Sequence, residues 1–385
     1  MERYSFLDSA LHWAKSYLWV CLLGLLLPAT SAAQPARIYR GAARQQGHYA
    51  LLRESGQPIT PFRYERIGLF GDGLVPAMRQ GKWGYLDSTG QEVIPFYYDA
   101  ARSPSGGLVA IKLGQEWGYL DYQGQPRIKP RYEEVGDFAA GLAPARLNQL
   151  WGYIDTAGFW IIQPSYRYAY PFRQGLALVS LDGKLGFIRP DGSWAIQPLY
   201  DEAYPHHSGL AEVAQDGQWG YLDTAGTVRI PLDLRRTAPF VQAVTVVQAT
   251  DGWHLMDPQG HRLRSLRYQH CGWPVEGRIR YQQHGSWGYL SVEGAEAVPA
   301  AFDQVLDYSE AVAAVKLRGK WGYIDLDGRP IVPLKFEAVR NFSGGIAPAQ
   351  ENGLWGLLKK DGSWLVAPQY EEVIAFQPIP SPQAP

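Results

Sequence analysis

Residues 82–87 are Lys-Trp-Gly-Tyr-Leu-Asp, and this six-residue motif returns with small changes at a spacing of 34 residues. Its tryptophans are Trp83, Trp117, Trp151, Trp219, Trp253, Trp287, Trp321 and Trp355, and Leu185 occupies the one position of the series that lacks the ring. A fixed period of this kind is typical of one short structural unit that is stacked many times. The chain of 385 residues is therefore predicted to be a tandem repeat protein in which these tryptophans are structural.

Other residue types recur in register with the tryptophan. In the first clear copy Gly90 lies seven residues after Trp83, Pro95 follows, and Tyr98 lies fifteen residues after it. The motif alternates like a short β-strand, and Asp-x-x-Gly after it is typical of a tight turn. We expect about three short strands per unit. The helical repeat of the same length is excluded, because Gly and Pro in helix interiors cost about 1 and about 3 kcal/mol relative to Ala.

These columns predict an all-β fold: a tandem array of about ten 34-residue β-repeats over residues 40–373. Our first architecture is an elongated, solenoid-like stack. The alternative is a closed β-propeller, whose blades more usually have about 40 residues and number four to eight. The Pro-rich segment 374–385 is predicted to be a disordered tail.

Residues 1–33 have the features of a signal peptide. Arg3 and Lys15 precede the apolar stretch 17–27, and the small residues 29–33 suit cleavage. An uncleaved anchor is the alternative. We expect an exported protein, periplasmic or extracellular, with no membrane span after cleavage. Cys21 lies in this segment, so Cys271 has no cysteine left to pair with, and we interpret it as a small apolar residue.

The pattern x-Trp-Gly-Tyr-Ile-Asp, then x-x-Gly, then Ile-x-Pro-x-Tyr-Asp/Glu, then Phe-x-x-Gly-Leu-Ala resembles the bacterial WG repeat family. The clearest matches are residues 82–87, 117–134 and 321–337. This resemblance implies a β-repeat protein, often exported or fused to other domains, with no established general activity. The family offers no catalytic residues to transfer to this chain.

The sequence gives little sign of catalysis, and we predict that the protein is not an enzyme. Phosphate-loop, dinucleotide, zinc-protease and Gly-x-Ser-x-Gly motifs do not occur in it. The acidic pairs Glu133–Glu134, Asp201–Glu202 and Glu371–Glu372 recur at one repeat position, which favours a solvated rim over catalytic groups. No cofactor and no metal site are predicted. With 36 basic and 37 acidic residues, the net charge of −1 gives no reason to expect nucleic acid as a partner.

Residues 229–284 depart most from the repeat. They are rich in arginine and contain His254 and His270, which we name as candidate binding residues, and Trp-Gly becomes Trp253-His254. Trp160, Trp194 and Trp364 form a second, incomplete tryptophan column and are the other candidate binding residues. The predicted function is non-catalytic binding or scaffolding of another protein through the repeat surface. The alternative is lectin-like binding of cell-wall or envelope polysaccharide through the aromatic rows.

Overall fold

The computed structural model describes residues 38–379, which form ten small antiparallel β-sheets. We number these sheets as blades 1–10 in chain order, starting with the sheet that contains the first strand. Within the described residues, no helix is long and apolar enough to cross a membrane.

Blades 1–5 contain the following strands: blade 1, β1 (Tyr39–Gln45), β2 (His48–Leu52) and β38 (Glu372–Pro378); blade 2, β3 (Arg66–Ile67), β4 (Leu74–Arg79), β5 (Lys82–Asp87) and β6 (Glu92–Tyr98); blade 3, β7 (Ala100–Ala101), β8 (Leu108–Leu113), β9 (Glu116–Asp121) and β10 (Pro126–Tyr132); blade 4, β11 (Glu134–Val135), β12 (Leu142–Leu147), β13 (Leu150–Asp155) and β14 (Trp160–Tyr166); blade 5, β15 (Tyr168–Ala169), β16 (Ala177–Leu181), β17 (Lys184–Ile188) and β18 (Trp194–Tyr200).

Blades 6–10 continue the series: blade 6, β19 (Glu202–Ala203), β20 (Leu210–Gln215), β21 (Gln218–Asp223) and β22 (Val228–Leu234); blade 7, β23 (Thr245–Ala249), β24 (Gly252–Met256) and β25 (Arg262–Leu266); blade 8, β26 (His270–Val275), β27 (Arg278–Gln283), β28 (Ser286–Ser291) and β29 (Glu296–Phe302); blade 9, β30 (Gln304–Val305), β31 (Ala313–Leu317), β32 (Lys320–Ile324) and β33 (Pro330–Phe336); blade 10, β34 (Ala338–Val339), β35 (Ile346–Glu351), β36 (Leu354–Lys359) and β37 (Trp364–Tyr370).

A regular blade has four strands rather than the three that we expected from the sequence. In blade 3 the order is β7, β8, β9, β10, and the first of these strands has only two residues. The Trp-Gly-Tyr motif forms the third strand, β9. Because the first strand is so short, four strands and their turns fit within 34 residues, a length that otherwise argues against a propeller.

The two ends of the array meet in blade 1, so the ring is closed. Its strand order is β2–β1–β38, with Ala42 opposite Ile374 and Arg44 opposite Glu372. A solenoid leaves its first and last repeats apart, whereas here one sheet takes strands from both. The predicted solenoid-like stack is therefore wrong, and the architecture is a ten-bladed β-propeller. Pairing between β1 and β38 joins residues too distant in the chain for the repeat pattern to reveal.

The boundaries of the predicted segments also change. Residues 374–378, which we assigned to a disordered tail, belong to the closing strand β38. The rest of that tail from residue 380, and the predicted signal peptide 1–33, lie outside the described residues.

The glycine of the Trp-Gly pair is required by a bulge in the outer strand. In blade 4, Trp151 is opposite Tyr166 and Tyr153 is opposite Ile162, so the outer strand carries two extra residues above Gly152. A Cβ atom on Gly152 would lie 2.4 Å from the carbonyl oxygen of Ile162 and 2.7 Å from the nitrogen of Pro164. Such distances are too short for any side chain, and the same close approach recurs at the other Trp-Gly pairs.

The hydrophobic core lies between consecutive blades. In blade 3 the Tyr119 hydroxyl donates to the Gly136 carbonyl of blade 4 at 2.7 Å, and its ring packs edge-on against Phe138. Equivalent bonds to the next blade are made by Tyr85, Tyr153, Tyr221, Tyr289 and Tyr323. These tyrosines are fully buried, whereas Trp117 is only half-buried. The inter-blade contact therefore depends chiefly on the tyrosine of the motif.

Blade 7 departs from this pattern. Its first strand is reduced to a single bridge between Arg236 and Gln248, and its outer strand β25 has five residues. Trp253 pairs with Leu266 and His254 with Ser265 in consecutive register, so no bulge lies above position 254. The space that requires glycine in the other blades is open here, and a histidine occupies it.

Candidate binding surface

The connections between strands divide over two faces of the ring. Because neighbouring strands are antiparallel, successive connections alternate between the faces. One face, which we call the hairpin face, carries the hairpin between the second and third strands and the connection from each outer strand to the next blade. In blade 3 these are residues 114–115, and residue 133 leading into blade 4. The opposite face carries the remaining turns, and we call it the turn face.

The recurrent acidic residues on the hairpin face have structural roles. Glu133 accepts a hydrogen bond from the N–H of Gln149 in the hairpin turn at 3.1 Å, and Asp201 accepts one from Asp216 at 2.9 Å. Corresponding bonds to hairpin turns are made by Glu65, Asp99, Glu337 and Glu371. The Lys184 ammonium and the Asp216 N–H hold the pKa of Asp201 below its usual range. These carboxylates are engaged at the turns rather than gathered in one catalytic place.

The second tryptophan column takes part in packing between blades. Trp160 packs edge-on against Tyr132 of the preceding blade with ring centroids 5.5 Å apart, and Trp194 packs in the same way against Tyr166. Trp364 makes this contact with Phe336. All three rings are half-buried. They lie in blades 4, 5 and 10, so the structure does not bring these three candidates into one continuous surface.

The main tryptophans are also half-buried, except Trp253, whose relative exposure is 8%. Several are covered by a cation from the neighbouring strands. The Arg102 guanidinium lies 5.1 Å from the ring centre of Trp117, and Arg340 lies 5.5 Å from that of Trp355. The exposed part of each ring is thus partly shielded by its own blade.

His254 is a buried, hydrogen-bonded residue. Its Nε2 atom lies 2.9 Å from an Asp251 carboxylate oxygen, and its Nδ1 atom lies 3.3 Å from the Ser265 hydroxyl. Serine, histidine and aspartate are the residue types of a hydrolytic triad. However, Ser265 lies on an exposed edge strand, and Asp251 is also paired with Arg262 at 2.9 Å. We therefore interpret the three residues as hydrogen-bonded packing that fills the place of the missing bulge.

His270 lies in an aromatic cluster at the boundary between blades 7 and 8. Its ring packs edge-on against both Trp253 and Trp287, with centroids 5.5 Å apart in each case. Burial and the nearby guanidiniums of Arg236 and Arg280 lower the pKa of His270, so this ring is neutral at neutral pH. Adjacent residues of a strand point to opposite sides, so Trp253 and His254 face different ways and the two candidate histidines do not share a site. No metal-binding group of His, Cys, Asp and Glu side chains forms among the described residues.

Beside this cluster the charge of the hairpin face changes from negative to positive. In most blades the residue after the outer strand is the carboxylate that caps a hairpin turn. In the connection to blade 7 this residue is Arg235, and Arg236 follows it. In the next connection Arg267 is exposed, and Gln269 caps the turn through the Gly285 N–H. Arg235, Arg236 and Arg267 form no side-chain hydrogen bond or ion pair within residues 38–379. We call Arg235, Arg236, Arg267 and His270 the basic sector.

The basic sector was accessible to sequence reasoning only in part. The arginine-rich segment 229–284 indicates the region, but it contains arginines in ion pairs as well as exposed arginines without one. Arg229 is paired with Asp223, and Arg280 is paired with Asp307. The signal that identifies Arg235 is its place sixteen residues after Trp219, where most other repeats have Asp or Glu, and the following Arg236 gives a second adjacent cation that Arg167 at the same repeat position lacks.

Comparison with solved structures shows fold similarity at low sequence identity. The first is a eukaryotic initiation factor, with a TM-score of 0.51 and 8% identity over 89% of this chain and 98% of that chain. Dihydro-haem d1 dehydrogenase NirN has a TM-score of 0.38 and 13% identity over 92% and 78% of the two chains. Apo AztD from Citrobacter koseri has a TM-score of 0.32 and 9% identity over 76% and 94%. At 8% identity, the likeness to the initiation factor concerns the fold alone.

A search of curated proteins found no match to the sequence. A family model, described as the WG containing repeat, matches eight segments of the chain: residues 49–83, 83–116, 117–151, 151–184, 186–219, 287–321, 321–355 and 355–377. The gap between residues 219 and 287 covers the second half of blade 6, all of blade 7 and the first half of blade 8. The matched segments cover well over half of the sequence, and the chain belongs to the WG containing repeat family.

Proposed function

We propose that this propeller is an exported, non-catalytic binding protein that holds another protein on its hairpin face. The observation that supports this proposal is that the residues that recur across the repeats have structural roles. Tyrosines join the blades, glycines lie under the bulges, and carboxylates cap the hairpin turns. What remains for recognition is the set of exposed side chains that differ between blades, and these change most in blades 7 and 8.

The absence of catalysis belongs to the same proposal. The polar groups that suggest chemistry are engaged in local structure, as His254 is with Asp251 and Ser265. Export rests on the apolar stretch at residues 17–27 and the small residues that follow it. A periplasmic or extracellular protein that is left with Cys271 and no second cysteine depends on packing between blades for its stability.

A protein partner is favoured over a polysaccharide by the packing of the tryptophans. Sugar-binding platforms present ring faces to solvent, whereas Trp160, Trp194 and Trp364 are half-buried against the preceding blades. Trp160 and Trp194 lie in the adjacent blades 4 and 5, but Trp364 lies in blade 10, so one short glycan would not contact all three.

The test is site-specific photo-crosslinking in the native host. The crosslinking residue p-benzoylphenylalanine replaces Thr250 in the exposed hairpin of blade 7 on the hairpin face or, as the matched control, Thr89 in an exposed turn of the turn face. We expect one discrete protein adduct from position 250 and none from position 89. Equal adducts from both positions, or no protein adduct from either, would overturn the proposal.

A parallel experiment addresses polysaccharide. The purified chain from residue 34 onward is applied to isolated murein and to envelope polysaccharide, together with the triple variant W160A, W194A and W364A. We expect no retention on either material. Retention by the natural sequence that is lost in the triple variant would assign the protein to the glycan-binding class instead.

A further inference from the structure

The basic sector identifies the chemistry of the partner. We propose that it binds a short acidic segment of a partner protein, whose carboxylates pair with Arg235 and Arg236. This inference rests on the proposed protein-binding function and adds to it the location and the charge of the contact.

The first argument is the availability of these cations. Arg235 and Arg236 are exposed and adjacent in sequence, and their side chains form no hydrogen bond or ion pair with any described residue. Guanidinium groups pair with carboxylates through two parallel N–H···O bonds, which gives direction as well as attraction. Two other cations on this face are already paired, Lys82 with Asp99 at 2.6 Å and Lys184 with Asp201 at 2.5 Å.

The second argument is the reversal of charge within one structural position. The residue that follows the outer strand is Asp or Glu in most blades, and its carboxylate bonds to a hairpin turn. Arg235 stands at that position before blade 7, so a carboxylate that the chain supplies elsewhere is missing at this place. A carboxylate from a partner would meet positive charge here and negative charge at the preceding connection, where Asp201 lies.

The third argument concerns the length of the partner segment. On one side of the basic sector the hairpin face carries Asp201 and Glu202, and on the other side it carries exposed Asp303. A long polyanionic chain lying along the face would meet these carboxylates and be repelled. A short acidic peptide confined to the two connections beside blade 7 would avoid these carboxylates. The neutral ring of His270 between Trp253 and Trp287 lies next to the cations and gives the segment an aromatic surface to contact.

The experiment measures binding of a defined probe to the purified chain from residue 34 onward. The probe is fluorescein-labelled hexaglutamate, followed by fluorescence anisotropy at low and at physiological salt. The test variant is R235E/R236E, and the matched control is R167E, because Arg167 is exposed, lacks an ion pair and occupies the same repeat position in the connection to blade 5. We expect saturable binding that weakens with salt, falls at least about tenfold in R235E/R236E, and changes little in R167E.

Several outcomes would overturn the inference. They are no saturable binding of hexaglutamate by the natural sequence, an equal loss in R167E, or no loss in R235E/R236E. If unlabelled hexagalacturonate displaces the probe more effectively than unlabelled hexaglutamate does, the sector belongs to an acidic glycan rather than to a protein. The variant R235Q/R236Q is measured beside the charge reversal, with circular dichroism on each, so that a folding defect is separated from loss of binding.

Failure of this inference differs from failure of the proposed function. A discrete crosslinked protein whose capture is unaffected by R235E/R236E would leave the binding function standing and place the contact elsewhere on the face. Conversely, peptide binding by the purified chain without any adduct in the host would leave the basic sector standing and remove the evidence for a partner.

Discussion

Substitution of Gly152 by alanine tests the reason for the Trp-Gly pair. The added Cβ would lie 2.4 Å from the Ile162 carbonyl oxygen, where ordinary contacts begin near 3.4 Å, so restoring an ordinary contact requires the bulge to move by about 1 Å. Overpacking of this kind costs typically 1–3 kcal/mol. Alanine also restricts the backbone of the unfolded chain, which stabilises the folded state by about 0.4–1 kcal/mol. We therefore expect G152A to lower the free energy of unfolding by about 1–2 kcal/mol.

The matched control is Gly272, which lies in β26 of the irregular region. A Cβ atom there would have its nearest neighbour, the Arg280 Cβ, at 3.5 Å, which is an ordinary contact. G272A is expected to be neutral or slightly stabilising. The assay is urea unfolding of the purified chain from residue 34 onward, followed by tryptophan fluorescence for all three proteins. The reasoning is refuted if G152A unfolds at the same urea concentration as the natural sequence, or if the two variants shift together.

Three further predictions concern buried polar groups. Burial raises the pKa of Glu212 from 4.5 to about 7, so its contribution to stability is present below pH 4.5 and is lost as the pH rises through 7. The variant E212Q should therefore be more stable than the natural sequence by up to about 3 kcal/mol at pH 8, and equally stable at pH 4. Unfolding measured at the two pH values checks this difference. His206 lies edge-on to Phe187, neither ring nitrogen has a hydrogen-bond partner among the described residues, and burial lowers its pKa. H206F should therefore be more stable than the natural sequence, with the margin growing as the pH falls below 6.5, and a margin that shrinks would contradict this reading. Burial raises the pKa of the Cys271 thiol to about 12, so the native chain should not react with iodoacetamide at pH 8 although the urea-unfolded chain does.

The sequence predicts the repeat unit well and its closure poorly, for a physical reason. Within a unit, Gly90 marks a turn because glycine adopts a positive φ without steric cost. Pro95 recurs in register, but only the structure places it in the bulge of the outer strand. A two-residue strand such as β7 has no periodicity to detect, so the unit appears to have three strands. Closure depends on pairing between Arg44 and Glu372, at opposite ends of the array, and no local pattern encodes it.

The candidate site, like the fold, is predicted from the sequence only in part. His254 and His270 are candidates because they lie where the repeat is interrupted, but an interruption of the repeat does not distinguish a buried side chain from a surface group. The structure places His254 between Asp251 and Ser265, and it places His270 beside exposed Arg236. Exposure depends on which strands carry a bulge, and the missing bulge of blade 7 becomes visible only when the register of β25 is known.

Comparison of blades 5 and 7 identifies which residue of the Trp-Gly pair determines whether the outer strand carries a bulge. In blade 5 the tryptophan is replaced by Leu185, yet Leu185 still pairs with Tyr200, the bulge is retained, and a Cβ on Gly186 would lie 2.7 Å from the Ile196 carbonyl oxygen. In blade 7 the tryptophan is kept and the glycine is replaced by His254, and there the bulge is lost. The outer strand of blade 7 also lacks the proline that recurs at the bulge. Loss of the ring is therefore tolerated locally, whereas loss of the glycine accompanies a different outer strand, because the bulged backbone and a side chain cannot occupy the same space.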